Sequence, residues 1–261
     1  MKKVISKDGT PIAYDLSGKG PAVVLVCGGS VDHTSNAPLA ALLAEHFTMF
    51  NYHRRGRGDS GDTPPYAVER EVEDIEAVLA AAGGSAYLYG TSSGAALALE
   101  AARRLPGITK LALWEPPYSA DASRPRPPAD TAKTFTELVL AGRRGDAVEF
   151  FMAKVVGLPP DFVAFARTQP WWGAQEALAH TLAYDATIMG DYVVPAERVA
   201  AVRAPTIVIT GGASFPFMHE TADMLVSLLP DGRRRTLEGQ QHNVAPEAIA
   251  PVLVEFFGGR L

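Results

Sequence analysis

Residues 90–94, with the sequence Gly-Thr-Ser-Ser-Gly, place Ser92 between two glycines, a pattern that suits nucleophilic catalysis. They follow an apolar run at residues 86–89 and precede an alanine-rich stretch at residues 95–104. This arrangement predicts a strand that turns sharply into a helix. Glycine is needed two positions before and two after the serine, because strand and helix nearly touch there. The sequence therefore predicts a nucleophile elbow whose apical Ser92 hydroxyl points toward substrate.

The elements that would position this elbow alternate between strands and helices. Strands are predicted at residues 3–6, 12–16, 22–27, 47–52, 86–89, 110–114, 206–210 and 233–237. Helices are predicted between and after them, at residues 38–46, 66–82, 95–104, 217–229 and 247–257. Strands joined by crossover helices pair in parallel. The prediction is therefore an α/β fold with a mostly parallel, doubly wound sheet of eight strands.

The alternation stops between residue 116 and about residue 200. Pro116, Pro117 and the proline-rich residues 125–128 are typical of a linker. Helical patterns follow at residues 135–140, 148–156 and 176–184, with no strong strand between them. We predict a first part of the α/β core at residues 1–117, an inserted helical cap at residues 118–200, and a second part of the core at residues 201–261.

Composition limits the partners and the compartment. The net charge of -5 and the pI of about 5.7 offer no overall attraction to nucleic acid or to an anionic membrane. The arginines at positions 54, 55 and 57 are interpreted as solvated loop residues. Cys27 is the only cysteine, and no apolar stretch approaches the length of a membrane span. We expect a cytoplasmic protein with a small-molecule substrate, and homo-oligomerisation is left open.

Taken together, these motifs resemble those of α/β-hydrolase fold proteins, and the resemblance covers nearly the whole chain apart from the cap. The strand pair at the amino terminus, the turn at residues 27–29, the loop at residues 54–60, the elbow and the loop at residues 239–242 follow the family's order. The resemblance implies a serine, acid, histidine order along the chain, with His242 in a loop above the elbow. His242 is then the base for Ser92, and a capping or core histidine is the alternative.

The oxyanion formed during acyl transfer needs preorganised donors. The resemblance implies the main-chain amides of Ser93, just after the nucleophile, and of Gly29, in the turn after the third strand. Relatives often carry His-Gly where this chain has Cys27 and Gly28, but this difference removes no main-chain donor. Cys27 is interpreted as a buried turn residue.

The third member of the triad departs from the family's pattern. Relatives usually carry an aspartate after the strand corresponding to residues 206–210, whereas residues 211–216 contain no carboxylate. Some relatives carry the acid at the end of the preceding core strand, where this chain has Glu115. Glu115 could instead cap the linker or pair with an arginine. In that case the site would work as a serine–histidine dyad, use the Ser214 hydroxyl as an acceptor, or take an acid from the cap, Asp185 or Asp191.

Aromatic and methionine side chains of the cap are candidates for substrate contact, namely Phe151, Met152, Trp171 and Trp172. Packing inside the cap is the alternative for each. Two adjacent tryptophans cannot easily both be buried in one small helical layer. At least one of Trp171 and Trp172 is therefore expected to face the crevice.

These observations predict a serine hydrolase that cleaves an ester, thioester or lactone with an apolar portion through an acyl-enzyme on Ser92. No cofactor is expected, and no metal site is indicated by the spacing of possible ligands. The alternatives are a non-hydrolytic enzyme of the same fold, such as a lyase, a cofactor-free oxygenase or a biosynthetic cyclase, and a ligand-binding protein without turnover. The natural substrate, its chain length and its stereochemistry depend on cap packing.

Overall fold

A computed structural model describes residues 1–120 and 126–259, and Pro125 of the predicted linker lies outside the described residues. The strands are Lys2–Ile5 (β1), Pro11–Gly18 (β2), Ala22–Val26 (β3), Thr48–Tyr52 (β4), Ala86–Thr91 (β5), Ile108–Trp114 (β6), Thr206–Gly211 (β7) and Gly232–Leu237 (β8). They form one sheet in the order β1-β2-β4-β3-β5-β6-β7-β8. The pairs β1–β2 and β2–β4 are antiparallel, and the others are parallel. The predicted eight-stranded, mostly parallel sheet is confirmed.

Strand β3 explains why the sheet has a core on each face. Its residues 23–26 are fully buried, and successive side chains of a strand point to opposite faces. Val24 and Val26 join one apolar cluster, whereas Val23 and Leu25 join the other. A continuous apolar run in a central strand therefore supplies both cores.

Five helices cover the two faces of the sheet: Ala37–Leu43 (α1), Val68–Ala81 (α2), Ser93–Arg104 (α3), Pro216–Leu228 (α10) and Pro246–Phe257 (α11). In α2 the residues Val72, Ile75 and Leu79 recur at helical spacing and are buried. Together with α3 and α10, α2 packs on the Val24 side. Helices α1 and α11 pack on the Val23 side.

The segment between β6 and β7 is helical, as predicted. It contains Thr131–Leu140 (α4), Arg144–Phe150 (α5), a π-helix at Phe151–Val156, Pro160–Ala166 (α6), Trp172–Leu178 (α7), a 3₁₀ turn at Ala179–Thr181, Leu182–Met189 (α8) and Ala196–Ala200 (α9). The sequence did not predict α6 and α9, because five to seven residues give too few turns for a periodic pattern.

This helical cap has its own apolar core, which includes Phe135, Val148 and Leu182. The far end of α8, with Ile188, packs instead into the core of the sheet, as does Tyr118 before the cap helices. The segment is thus attached to the sheet by buried contacts at both ends. The domain division at residues 117/118 and 200/201 stays a prediction.

The interpretation of Arg54, Arg55 and Arg57 as solvated residues is wrong. Their side chains are 0%, 0% and 1% exposed, because the loop after β4 lies beneath the cap and carboxylates neutralise each guanidinium. The shortest ion pairs are 2.8, 2.8 and 2.7 Å and join Arg54 to Glu71, Arg55 to Asp74, and Arg57 to Asp185. Sequence position alone did not reveal these partners, since they lie 17 to 128 positions away.

None of the helices within residues 1–120 and 126–259 is long and apolar enough to cross a membrane.

Candidate active site

Ser92 stands between β5 and α3 with φ 55° and ψ -127°, a backbone conformation that residues other than glycine rarely adopt. The neighbouring glycines are required by close packing. A Cβ atom on Gly94 would lie 2.3 Å from the Cys27 carbonyl oxygen, and one on Gly90 would lie 2.5 Å from the Gly94 carbonyl oxygen. The chain therefore forms the predicted sharp strand-to-helix turn, held in a strained conformation at the serine.

His242 faces this serine from the loop between β8 and α11. Its Nε2 atom is 3.2 Å from Ser92 Oγ. The loop is fixed from below, because the Trp114 indole donates a 2.8 Å hydrogen bond to the His242 carbonyl oxygen. The histidine side chain is 29% exposed, so the residue is held in place while part of its ring stays accessible to solvent.

Glu115 completes a chain of hydrogen bonds. It follows β6 directly, and its Oε2 atom is 2.7 Å from His242 Nδ1. The carboxylate also accepts 2.8 Å hydrogen bonds from the Gly211 amide, at Oε1, and from the Ser214 hydroxyl, at Oε2. Its side chain is 0% exposed. Three donors thus surround one buried carboxylate, which is how a buried charge is tolerated.

These contacts define the state of the imidazole. A proton on Nδ1 is donated to the Glu115 carboxylate, which leaves the lone pair of Nε2 facing the Ser92 hydroxyl. Asp185 and Asp191, the two cap acids that were alternatives to Glu115, have other partners than the histidine. Asp185 binds arginines and Ser93, and Asp191 is 73% exposed and accepts the Val193 amide.

The turn after β3 lies against the elbow. A Cβ atom on Gly28 would lie 3.8 Å from Ser92 Oγ, and one on Gly29 would lie 3.2 Å from Ser93 Oγ. Within the described residues, the Gly29 amide donates no hydrogen bond to the chain. Ser93 is the first residue of α3, and the first amides of a helix have no partner inside it. Both predicted oxyanion donors are therefore close to the serine.

Asp185 was one alternative for the triad acid, but the structure gives it other partners. It is 5% exposed and lies in α8, whose other residues are largely apolar. Burial acts to raise the pKa of its carboxyl, but Arg57 and Arg54 outweigh burial and hold the pKa below its usual value. In the sequence, the signal for this buried contact is one charged residue in an otherwise largely apolar helical stretch.

The residues predicted to bind substrate lie in the cap, in different environments. Trp171 is 43% exposed, whereas Trp172 and Met152 are 6% and 8% exposed and belong to the core of the cap. Phe151 is partly buried against that core. The structure thus shows internal packing for Trp172 and Met152. A role in substrate contact stays a prediction for this group, and Trp171 is its most accessible member.

One group of possible metal ligands comes together from separate elements. Nε2 of His33 and Nε2 of His53 each lie 3.6 Å from Asp15 Oδ2, and the two rings stack with centroids 3.3 Å apart. The Asp59 amide donates to His53 Nδ1, so Nε2 carries the proton of that ring. A metal at Nε2 would require this proton to move to Nδ1, where it would face the Asp59 N–H. In the tautomer that this hydrogen bond favours, His53 offers a metal no lone pair at Nε2.

Comparison with known proteins agrees with this geometry. An α/β hydrolase from Sphaerobacter thermophilus has 54% sequence identity, a TM-score of 0.92, and coverage of 98% of this chain and 100% of that chain. The polyketide synthase ThaQ of Burkholderia thailandensis is 27% identical in an alignment of 258 positions that covers 92% of this chain and 12% of that protein. The pimeloyl-[acyl-carrier protein] methyl ester esterase of Xanthomonas campestris is 37% identical over 100 residues, 38% of each protein. The chain thus spans less than half the length of these two curated relatives.

A family model described as the alpha/beta hydrolase family matches residues 23–252, which is most of the chain and includes the elbow, the Glu115 strand and the His242 loop. That match agrees with the sheet order and with the strained backbone at Ser92. It also agrees with the Sphaerobacter thermophilus structure, which covers 98% of this chain. The chain belongs to the alpha/beta hydrolase family.

Proposed function

We propose that this enzyme is a serine hydrolase that cleaves an ester, thioester or lactone through an acyl-enzyme on Ser92. The observation that carries the proposal is the continuous chain of contacts from Ser92 Oγ to His242 Nε2, 3.2 Å, and from His242 Nδ1 to Glu115 Oε2, 2.7 Å. A serine paired with an oriented histidine is an activated nucleophile, because the ring can accept the hydroxyl proton during attack.

Each step uses a group with a defined position. Ser92 Oγ bonds to the substrate carbonyl carbon while its proton moves to His242 Nε2. The carbonyl oxygen becomes an oxyanion, which the amides of Gly29 and Ser93 bind. When the tetrahedral intermediate collapses, the bond to the alcohol or thiol breaks and His242 returns the proton to that leaving group. Water then attacks the acyl-enzyme by the same route and releases the acid.

Glu115 stabilises the positive charge that His242 gains in each transition state. It also keeps the Nδ1 proton in place, so that Nε2 is free to act as a base. Its three hydrogen-bond donors hold the carboxylate still. No metal or organic cofactor is needed for this sequence of steps.

The substrate class is proposed from the cap and the relatives. A small or medium apolar substrate suits a cap with partly exposed aromatic groups such as Trp171. One relative is named as a methyl ester esterase, which supports an ester as the reactive group. The single cysteine supports a reducing cytoplasmic setting.

The test uses p-nitrophenyl esters of short and medium acyl chains and a fluorophosphonate probe. Wild type is expected to hydrolyse the esters and to be labelled, and Ser92→Ala should lose at least about a thousandfold in kcat together with labelling. Ser227→Ala is the matched control, because Ser227 is an exposed serine near the end of α10 whose hydroxyl donates to the Met224 carbonyl oxygen. Wild-type protein that is inert toward both reagents would instead favour the non-hydrolytic enzyme or the ligand-binding protein.

A further inference from the structure

The carboxylate of Asp185 connects the cap to the two predicted oxyanion donors. Asp185 Oδ1 accepts hydrogen bonds from Arg54 and from the Ser93 hydroxyl, both at 2.9 Å. Asp185 Oδ2 accepts a 2.7 Å hydrogen bond from Arg57. None of these contacts takes part in the acyl-transfer steps, although Asp185 is nearly fully buried beside the site.

Arg57 links Asp185 to the first predicted oxyanion donor, the Gly29 amide. Its Nη1 atom donates to the carbonyl oxygens of Gly28, at 2.5 Å, and Val31, at 2.8 Å. The Gly28 carbonyl and the Gly29 amide belong to the same planar trans peptide, in which the two groups point in opposite directions. Holding the Gly28 oxygen therefore fixes the direction of the Gly29 N–H. Arg54 adds a 3.2 Å hydrogen bond to the carbonyl oxygen of Cys27 in the same turn.

The second donor is held more directly. Ser93 carries the other oxyanion amide, and its own hydroxyl donates to Asp185. A second cap residue reaches the same turn, because the Ser30 hydroxyl donates to the side-chain oxygen of Gln175 in α7. Ser30 itself has a φ of 58°, so this turn keeps a strained conformation beneath the cap.

The charges around Asp185 are balanced. Two guanidinium groups, from Arg54 and Arg57, face the carboxylates of Asp185 and Glu71. This balance matters because an unpaired carboxylate beside the turn would repel a developing oxyanion. Without Asp185, the Arg57 side chain could move and would no longer hold the Gly28 carbonyl oxygen in place.

We propose that Asp185 is a positioning residue that sets the geometry of the oxyanion hole, so that correct seating of α8 of the cap is required for efficient acyl transfer. This inference rests on the proposed function. It assigns to the cap a part in transition-state stabilisation in addition to any contact with substrate. The expected signature is a loss in kcat with little change in KM, because the oxyanion develops during acyl transfer and is absent from the bound ester.

The experiment compares two pairs of variants. Asp185→Asn and Arg57→Lys each break the connection, since lysine cannot reach the carboxylate and the turn with one rigid fork. Asp74→Asn and Arg55→Lys are the matched controls. They remove an equally buried carboxylate and an arginine of the same loop, whose contacts are with each other and with residues outside the turn and the elbow.

Four quantities are measured for every variant: kcat and KM for a p-nitrophenyl ester, the inhibition constant of an alkylboronic acid, and the thermal unfolding midpoint. The boronic acid reports on the oxyanion hole, because Ser92 Oγ bonds to boron, the hydroxyl proton moves to His242, and no group leaves. The resulting tetrahedral adduct is negatively charged, as the transition state is.

The connected pair should lose about tenfold or more in kcat and in boronate affinity, with KM changed less than about threefold. The controls should stay within about threefold of wild type in kcat and boronate affinity at a similar loss in unfolding midpoint. Equal kinetic losses in both pairs, or unchanged kcat in Asp185→Asn, would overturn the inference. If Asp185→Asn does not fold, Arg57→Lys against Arg55→Lys decides. Wild type that neither turns over esters nor binds the boronic acid would refute the proposed function itself.

Discussion

Replacing Glu115 by glutamine tests the acid of the proposed triad with almost no change in shape. The wild-type carboxylate accepts from the Gly211 amide on one oxygen and from His242 Nδ1 and the Ser214 hydroxyl on the other. A glutamine has one acceptor oxygen and one NH₂ donor group. The Gly211 amide is a fixed main-chain donor, so the amide oxygen should turn toward it. The NH₂ group then faces His242 and Ser214.

This arrangement satisfies the buried groups but reverses the histidine. The NH₂ group would donate to Nδ1, so the ring proton would move to Nε2, and the Ser214 hydroxyl can rotate to accept. Nε2 could then no longer accept the proton of Ser92. The same change of tautomer in a serine protease triad lowers kcat by about 10⁴-fold, which corresponds to about 5.5 kcal/mol of transition-state stabilisation. We expect a loss of about 10³–10⁴-fold in Glu115→Gln.

The assay is kcat for a p-nitrophenyl ester at saturating concentration, together with urea unfolding. Stability should change by no more than about 1–2 kcal/mol, because the hydrogen bonds can be satisfied after the exchange. Ser214→Ala is the control: it removes one donor but keeps the carboxylate, and its kcat should stay within about tenfold of wild type. A folded Glu115→Gln variant that keeps more than about a tenth of wild-type kcat would refute this account of the acid.

Three further predictions concern stability and reactivity. Gly94→Ala should lose about 3 kcal/mol or more in urea unfolding, because its Cβ would lie 2.3 Å from the Cys27 carbonyl oxygen. Gly173→Ala, whose Cβ would meet nothing within 4 Å, should be neutral or up to about 1 kcal/mol more stable, and equal losses would contradict this reasoning. A hydrogen bond from Arg55 holds the pKa of Asp8 well below its usual value of 3.8. Its contribution is therefore complete at neutral pH and shrinks as the pH falls below that value, so Asp8→Asn should be less stable than wild type at pH 7 and should approach it near pH 2; a pH-independent difference would count against this pairing. Burial raises the pKa of the Cys27 thiol, so iodoacetamide should alkylate it only after unfolding, and mass spectrometry of the native protein should detect no adduct.

Some of the fold follows from local patterns alone. A Val/Leu run predicts the buried strand β3, and apolar residues at helical spacing predict α2, because both patterns are set by the geometry of a single element. The elbow is also local, since Ser92 and its flanking glycines lie within five residues. The resemblance added the order of the site, with His242 near the end of the chain.

Other features depend on which distant residues meet, and local patterns carry no such information. Cap packing is one example. Trp171 and Trp172 are adjacent and therefore share almost the same sequence neighbours, but their exposed fractions differ sevenfold, 43% for Trp171 against 6% for Trp172. The buried arginines are another. Their loop is polar and resembles a solvated one, but α2 and α8 bring carboxylates to it.

The sequence by itself determined the alternation of strands and helices and the strained serine turn, because these follow from backbone geometry and side-chain periodicity over a few residues. Only the tertiary structure decided that Glu115 lies 2.7 Å from His242, although the two residues are 127 positions apart in the chain. It also decided that Asp185 accepts a hydrogen bond from Ser93, next to the elbow serine. The physical reason is that these distances depend on the order β6-β7-β8 in the sheet and on how α8 packs against α3. Charge pairing in a buried site is a property of that packing.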